Sequence, residues 1–175
     1  MSSSLRPDFE SLPQTQKGKA GEQLVDLHLF ERGIVPYGPV FGAAHPFDRL
    51  CASRDKRDLF VVEVKSKARR TYYPDTGVDI AHYEGYVHIK ATYQIPVFLY
   101  FVDEMLKKVY GGELAFLTRP TIVPHKGKAL KYPLRSNGII YFPLVNMTTL
   151  AELDEVSAQR LKALSTRKYA YKVAG

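Results

Sequence analysis

The apolar positions of this chain recur at two spacings. Over residues 16–32 they fall at helical intervals, with Ala20, Leu24 and Leu27 on one line and Val25 and Leu29 beside it. Gly33 follows as a stop. Short strands are expected at residues 37–41 and 47–52. The charged turn Ser53-Arg54-Asp55-Lys56-Arg57 leads to a third strand over 58–68, so the second and third strands read as a hairpin. Residues 69–77 form a loop containing Pro74 and Gly77. Asp79 is placed to cap a helix running to Tyr93. Its Ile80, Tyr83 and Val87 face is expected in the core, and its His82, Tyr86, Lys90 and Tyr93 face toward solvent or a ligand. Residues 96–103 are almost unbroken apolar, the pattern of a strand buried on both faces, with 107–113 as hairpin partner. Residues 117–137, rich in Pro, Lys and Gly, read as a long excursion. A strand returns at 138–144. Thr149-Leu150-Ala151-Glu152 has the form of a capping box that opens a last helix ending near Leu164.

This order predicts an α/β domain with a mixed central β-sheet flanked by helices. A length of 175 residues, 45% of them hydrophobic, suits one domain with a real core. The expected layout is a polar arm at 1–15 and a single domain over 16–175. Within that domain, 17–103 is the core and 114–175 a C-terminal extension. No apolar run approaches the ~18 residues of a membrane span, and the N-terminal stretch lacks the apolar centre of a signal peptide, so cytoplasmic residence is expected. The single cysteine, Cys51, has no disulfide partner in the chain and reads as a small buried residue.

Charge narrows the partners. Lys and Arg number 25 against 18 Asp and Glu, for a net charge of +7, which favours a polyanion such as nucleic acid without requiring one. The 12 tyrosines and nine phenylalanines fill a core and would also serve as base-stacking surfaces. The chain has no Gly-rich phosphate loop, no H-E-x-x-H, no cysteine pair for zinc and no G-x-S-x-G. Nucleotide-driven motors, zinc hydrolases and serine esterases are thereby removed.

The chemistry concentrates in Phe60-Val61-Val62-Glu63-Val64-Lys65-Ser66-Lys67. Residues i and i+2 of a strand share a face, so Glu63 and Lys65 stand side by side at the end of an apolar strand. Neither is cheap to bury unpaired. In the hairpin, Asp48 meets Glu63 near the open end. Two converging carboxylates with a backbone carbonyl, that of Val64, make a hard oxygen site suited to Mg²⁺ or Mn²⁺. Lys65 would orient or deprotonate a water there, or stabilise charge on a phosphate. Glu22 lies on the first helix beside the Val25 and Leu29 stripe, placed to hold a second ion or a water.

On these residues the sequence resembles the PD-(D/E)xK nuclease superfamily, over about residues 17–103. The resemblance rests on Gly18-Lys19-Ala20-Gly21-Glu22, Pro46-Phe47-Asp48 and Glu63-Val64-Lys65. Their order and spacing are similar to those of archaeal-type Holliday-junction resolvases and related phage and repair nucleases. Phe47 separates Pro46 from Asp48, a departure from the name pattern. Pro74-Asp75 follows the E-x-K in a loop and is set aside. The resemblance implies a restriction-endonuclease-like core and metal-dependent hydrolysis of DNA, including branched DNA, in repair or recombination. It assigns catalysis to Glu22, Asp48, Glu63 and Lys65, and metal binding to Asp48, Glu63, the Val64 carbonyl and Glu22.

Around this site Lys17, Lys19, Ser66, Lys67, Arg69, Arg70 and Lys90 are candidates for DNA contact. His45 is a candidate accessory ligand or phosphate contact, or simply structural. Lys126, Lys128, Lys131 and Arg135 would clamp a nucleic acid or keep a loop solvated. A junction-cutting enzyme implies a homodimer, with Leu153, Val156, Leu161 and Leu164 of the final helix serving either that interface or internal packing. Two other readings stay open: a nucleic-acid-binding module without hydrolysis, and an α/β protein whose acids form a buried ion pair.

Overall fold

The computed structural model describes residues 11–38 and 46–165. Its first helix, α1 (Pro13–Glu31), begins inside the stretch expected as an arm. Proline suits a first helical turn, where its missing N–H would have no helical partner anyway. In chain order there follow β1 (Val35–Tyr37), β2 (Arg49–Ala52), β3 (Leu59–Lys65), β4 (Asp75–Asp79), α2 (Ile80–Tyr93), β5 (Val97–Asp103) and β6 (Lys108–Glu113). The remainder is α3 (Leu114–Leu117), β7 (Thr121–His125), β8 (Lys128–Tyr132), β9 (Leu134–Ser136), β10 (Ile139–Pro143), β11 (Thr148–Glu152) and α4 (Glu155–Ala163).

The fold is mixed α/β, with a central mixed sheet flanked by helices. Six strands lie in the order β1-β2-β3-β5-β6-β11. β3 and β5 run parallel, and every other neighbouring pair is antiparallel. A parallel pair needs a long connection, here supplied by β4 and α2. A second sheet, β4-β10-β9, and the β7–β8 hairpin complete the described residues.

Alternation along the strands divides the interior in two. Val62, Val64, Tyr100 and Val102 share one core with Val25 and Leu29 of α1 and Ala158 and Leu161 of α4. Val61, Leu99 and Phe101 share the other with Tyr86 and Ile89 of α2 and with Val78, Ile140 and Phe142 of the second sheet. Each fully buried large side chain, such as Leu29, Leu99 or Phe101, contributes about 1.5–3 kcal/mol. Cys51 is buried in the first core, and burial pushes its thiol up to about 12. No helix among the described residues is long and apolar enough to cross a membrane.

Several expectations are corrected. The strand expected at 37–41 is observed at Val35–Tyr37, and residues 39–41 lie outside the described residues. The loop expected at 69–77 ends early, because Asp75 opens β4. The excursion at 117–137 contains β7, β8 and β9. The β7–β8 turn is Lys126-Gly127, with φ of 47° and 75°, the positive-φ pair that a two-residue hairpin favours. Thr149–Glu152 does not cap a helix but belongs to β11, which pairs with β6. The cap is Asp154, whose side chain accepts from Ser157 N at 2.8 Å. In α2 the inward line is Tyr86 and Ile89, while Val87 is 41% exposed. A polar-tipped ring turns inward there because its hydroxyl finds a partner in the sheet.

Two opposite charges are enclosed where α1 begins. Lys17 Nζ donates to Glu104 Oε1 at 2.6 Å, with side chains 9% and 0% exposed. Removing one partner of such a pair strands the other charge. Lys17→Met should therefore destabilise the chain by about 3–5 kcal/mol in urea unfolding. Adding Glu104→Gln should recover much of the loss. An unchanged midpoint in the single variant would show that the pair contributes nothing.

Candidate active site

The β2–β3 ladder ends at the Arg49–Val62 pair, and Asp48, in the bend just before β2, lies beside the end of β3, near Glu63 and Val64. Asp48 Oδ2 accepts from Val64 N at 2.7 Å. Glu63 is 5% exposed. Its Oε1 accepts from Lys65 Nζ at 2.5 Å and from Tyr86 Oη at 2.7 Å. Burial raises the Asp48 carboxyl above the ordinary aspartate range, and the negative charge of Glu63 raises it further. Burial likewise pushes the Tyr86 phenol up, with Glu63 adding to it.

Two other buried acids, Asp75 and Asp103, have both oxygens engaged. Asp75, 0% exposed, takes Arg70 Nε on Oδ1 and Arg70 Nη2 and Tyr132 Oη on Oδ2. Asp103, also 0% exposed, takes Met105 N and Leu106 N on one oxygen and Arg69 N and Tyr110 Oη on the other. Every oxygen in those two groups is occupied. At Asp48 and Glu63 the bonds fall on one oxygen each. Among the described residues no donor reaches Asp48 Oδ1 or Glu63 Oε2. Two neighbouring carboxylates that repel each other, each with an oxygen to spare, fit a hard divalent cation.

Arg49 organises the other side of the strand. By alternation it faces α1, where Glu22 and Asp26 are one helical turn apart. Its Nη1 lies 3.1 Å from Glu22 Oε2, and its Nε and Nη2 grip Asp26 at 2.9 and 2.8 Å. Nη1 also donates to Asp48 O at 2.7 Å. Glu22 is half-buried, and burial raises its carboxyl, with the charge of Asp48 adding to that and Arg49 opposing it. The structure thus brings Asp48, Glu63 and Lys65 together and engages Glu22 through Arg49. Among the described residues no three acid, imidazole or thiol groups are clustered closely enough to share one ion. Val64 turns its side chain into the α1 core. His45 lies outside the described residues.

The cations expected to contact DNA are placed unevenly. Lys17 is buried on Glu104 and cannot reach a phosphate. Ser66 Oγ is sealed beneath α1, where a Cβ on Gly21 would stand 1.8 Å from it. Both therefore leave the contact set. Lys67 Nζ donates to Gly77 O at 2.9 Å. Arg70 is committed to Asp75 and Lys90 to Glu113. Lys19 is exposed and Arg69 partly so.

Arg49 and Asp26 were not among the expected site residues, and Tyr86, expected to face solvent or a ligand, instead bonds Glu63 in the interior. Tyr86 carried a signal in its i+3 spacing to Ile89. Arg49 carried one in the period of two, which turns it away from Asp48 and toward the helix bearing Glu22 and Asp26.

No family profile matches the chain, and no curated protein matches it in sequence. Among solved structures it is similar to Archaeoglobus fulgidus Hjc, a Holliday junction resolvase from an archaeal hyperthermophile. The TM-score is 0.49 at 12% identity, over 74% of this chain and 90% of that one.

The raised Asp48 carboxyl has a pH signature. A group whose pKa rises on folding contributes stability that is complete below its unfolded value, about 3.9 for Asp, and lost as pH climbs through the folded value. Asp48→Asn keeps an acceptor for Val64 N and removes the repulsion with Glu63. Its urea midpoint should exceed wild type at pH 7, and the gap should close as pH falls toward about 4. Equal midpoints at pH 7 would show that Asp48 bears no such repulsion.

Proposed function

We propose that the chain is a Mg²⁺- or Mn²⁺-dependent endonuclease that hydrolyses DNA phosphodiester bonds, with branched DNA such as Holliday junctions among its substrates. The observation that carries this reading is the Asp48–Glu63 pair, Asp48 in the bend before β2 and Glu63 on β3, with one oxygen of each without a donor among the described residues and Lys65 bonded to Glu63. At Asp75 and Asp103, by contrast, both oxygens are taken by donors.

Asp48 and Glu63, with the Val64 carbonyl, would hold the ion. Bound there, it would polarise a phosphate oxygen and lower the pKa of a water. Lys65, seated on Glu63 Oε1, would orient the attacking water and balance charge on the phosphate. Tyr86 would keep Glu63 in one rotamer. Glu22 would act as a positioning residue, since Arg49 links its carboxylate to the Asp48 carbonyl. The water oxygen bonds to phosphorus as one bridging P–O bond breaks, leaving a phosphate end and a hydroxyl end. Cutting both strands of a junction would call for two sites, which a homodimer supplies. Roles in repair or recombination follow from that substrate.

The test is cleavage of branched, duplex and single-stranded DNA with Mg²⁺, with Mn²⁺ and with EDTA. Glu63→Gln and Lys65→Ala should each lower metal-dependent cutting by about 100-fold or more in protein that circular dichroism shows to be folded, as expected for groups acting in the transition state. Wild-type rates in either variant would refute the assignment. Mn²⁺ should also raise the unfolding midpoint of the wild type, because a ligand bound only to the folded chain stabilises it. Asp48→Asn should lose that increment. DNA binding without cutting would favour a non-catalytic module.

A further inference from the structure

The basic excess of this chain is not spread over it. Residues 64–74 carry four cations (Lys65, Lys67, Arg69, Arg70) and no acid. Residues 114–151 carry five (Arg119, Lys126, Lys128, Lys131, Arg135) and no acid. Together these segments exceed the whole net charge of +7, so the rest of the chain is net acidic. The fold brings parts of both together. The loop after β3 meets the β7–β8 hairpin, with the Tyr73 and His125 rings 5.6 Å apart and Lys126 Nζ 5.6 Å from the Tyr72 ring.

The meeting is built from beneath. Asp75 is fully buried and binds Arg70 from the loop and Tyr132 from the end of β8. The loop is closed at its base by Arg70 N donating to Asp75 O at 3.0 Å. The Arg70 guanidinium lies over the Tyr73 ring at 4.1 Å and over the Tyr141 ring at 3.8 Å. With its charge already matched by Asp75, Arg70 serves to hold rings in place. Above this base Tyr72 is 69% exposed and Tyr73 38%. Lys126, Lys128, Lys131 and Arg135 are exposed, and none pairs with a carboxylate of the described residues. An acidic peptide would satisfy the cations but has no use for the exposed Tyr72 ring. Unpaired bases use both, stacking on rings while phosphates meet the lysines.

We propose that the loop after β3 and the β7–β8 hairpin form a stacking platform for unpaired bases, so that the preferred DNA carries a single-stranded segment beside the duplex. The inference rests on the nuclease reading for its link to cleavage, since the loop continues directly from the strand bearing Glu63 and Lys65. The binding itself does not depend on that reading.

The test is done in EDTA, where no cutting occurs. The chain has no tryptophan, so Tyr72→Trp installs a single reporter on the platform. Its fluorescence should be quenched by single-stranded DNA and not by poly-glutamate. By anisotropy, Tyr72→Ala should weaken binding of single-stranded and flap DNA about 10-fold, and Tyr72→Phe should restore it. Binding of a blunt duplex should be unchanged. Lys128→Ala should lower the salt slope by about 0.7 for single strands. No quenching, wild-type affinity in Tyr72→Ala, or equal binding of poly-glutamate would overturn the platform. If binding behaves as stated while metal supports no cleavage, the platform stands and the nuclease reading fails. Cleavage with no effect of Tyr72 gives the reverse.

Discussion

Glu63 is the constraint on which the rest turns. A carboxylate in a strand packed on both faces must be paired or solvated, because isolated burial of its charge is prohibitive. Lys65 supplies one partner from the same strand and Tyr86 another from α2. The second demand sets the rotation of α2, and with it which side chains of that helix enter the core. The first places an ammonium at the mouth of the strand. Beside them, the bend before β2 delivers Asp48, whose own charge is disfavoured by the company it keeps.

The same cost is met elsewhere by different means, and the comparison separates structure from chemistry. Asp103 is absorbed by the turn between β5 and β6 together with Tyr110, Asp75 by Arg70 and Tyr132, and Glu104 by Lys17. These acids tie loops and helices to the sheet. Asp48 and Glu63 accept on one oxygen each, where Asp75 and Asp103 accept on both. Gly21 contributes from the other layer. By omitting a Cβ it lets α1 rest on Ser66, which brings Glu22 and Asp26 within reach of Arg49.

Residues 114–165, within the stretch expected as a C-terminal extension, build part of the domain. β11 adds an edge to the main sheet, α4 fills the core under α1, and β4, β9 and β10 cover the other face beside α2. The loop after β3 and the β7–β8 hairpin are joined through Asp75, a buried residue that sequence pattern alone marks as a loop residue.

What the sequence determined by itself was whatever depends on near neighbours. The helical period of α1, the apolar runs of β3 and β5, the β2–β3 hairpin and the side-by-side placement of Glu63 and Lys65 all follow from spacing within one element or one turn. Only the tertiary structure decided the burial of Lys17 and Ser66, the inward turn of Tyr86, the capture of Glu22 by Arg49 and the strands within 117–137. Those outcomes depend on groups many positions away. In sequence Lys17 reads as a DNA-contacting cation because Glu104 lies far along the chain, and Thr149–Glu152 as a helix cap because β6 is not adjacent. Local propensity is weak against a long-range hydrogen-bond ladder or a buried charge seeking its partner, and in this chain the long-range terms prevailed.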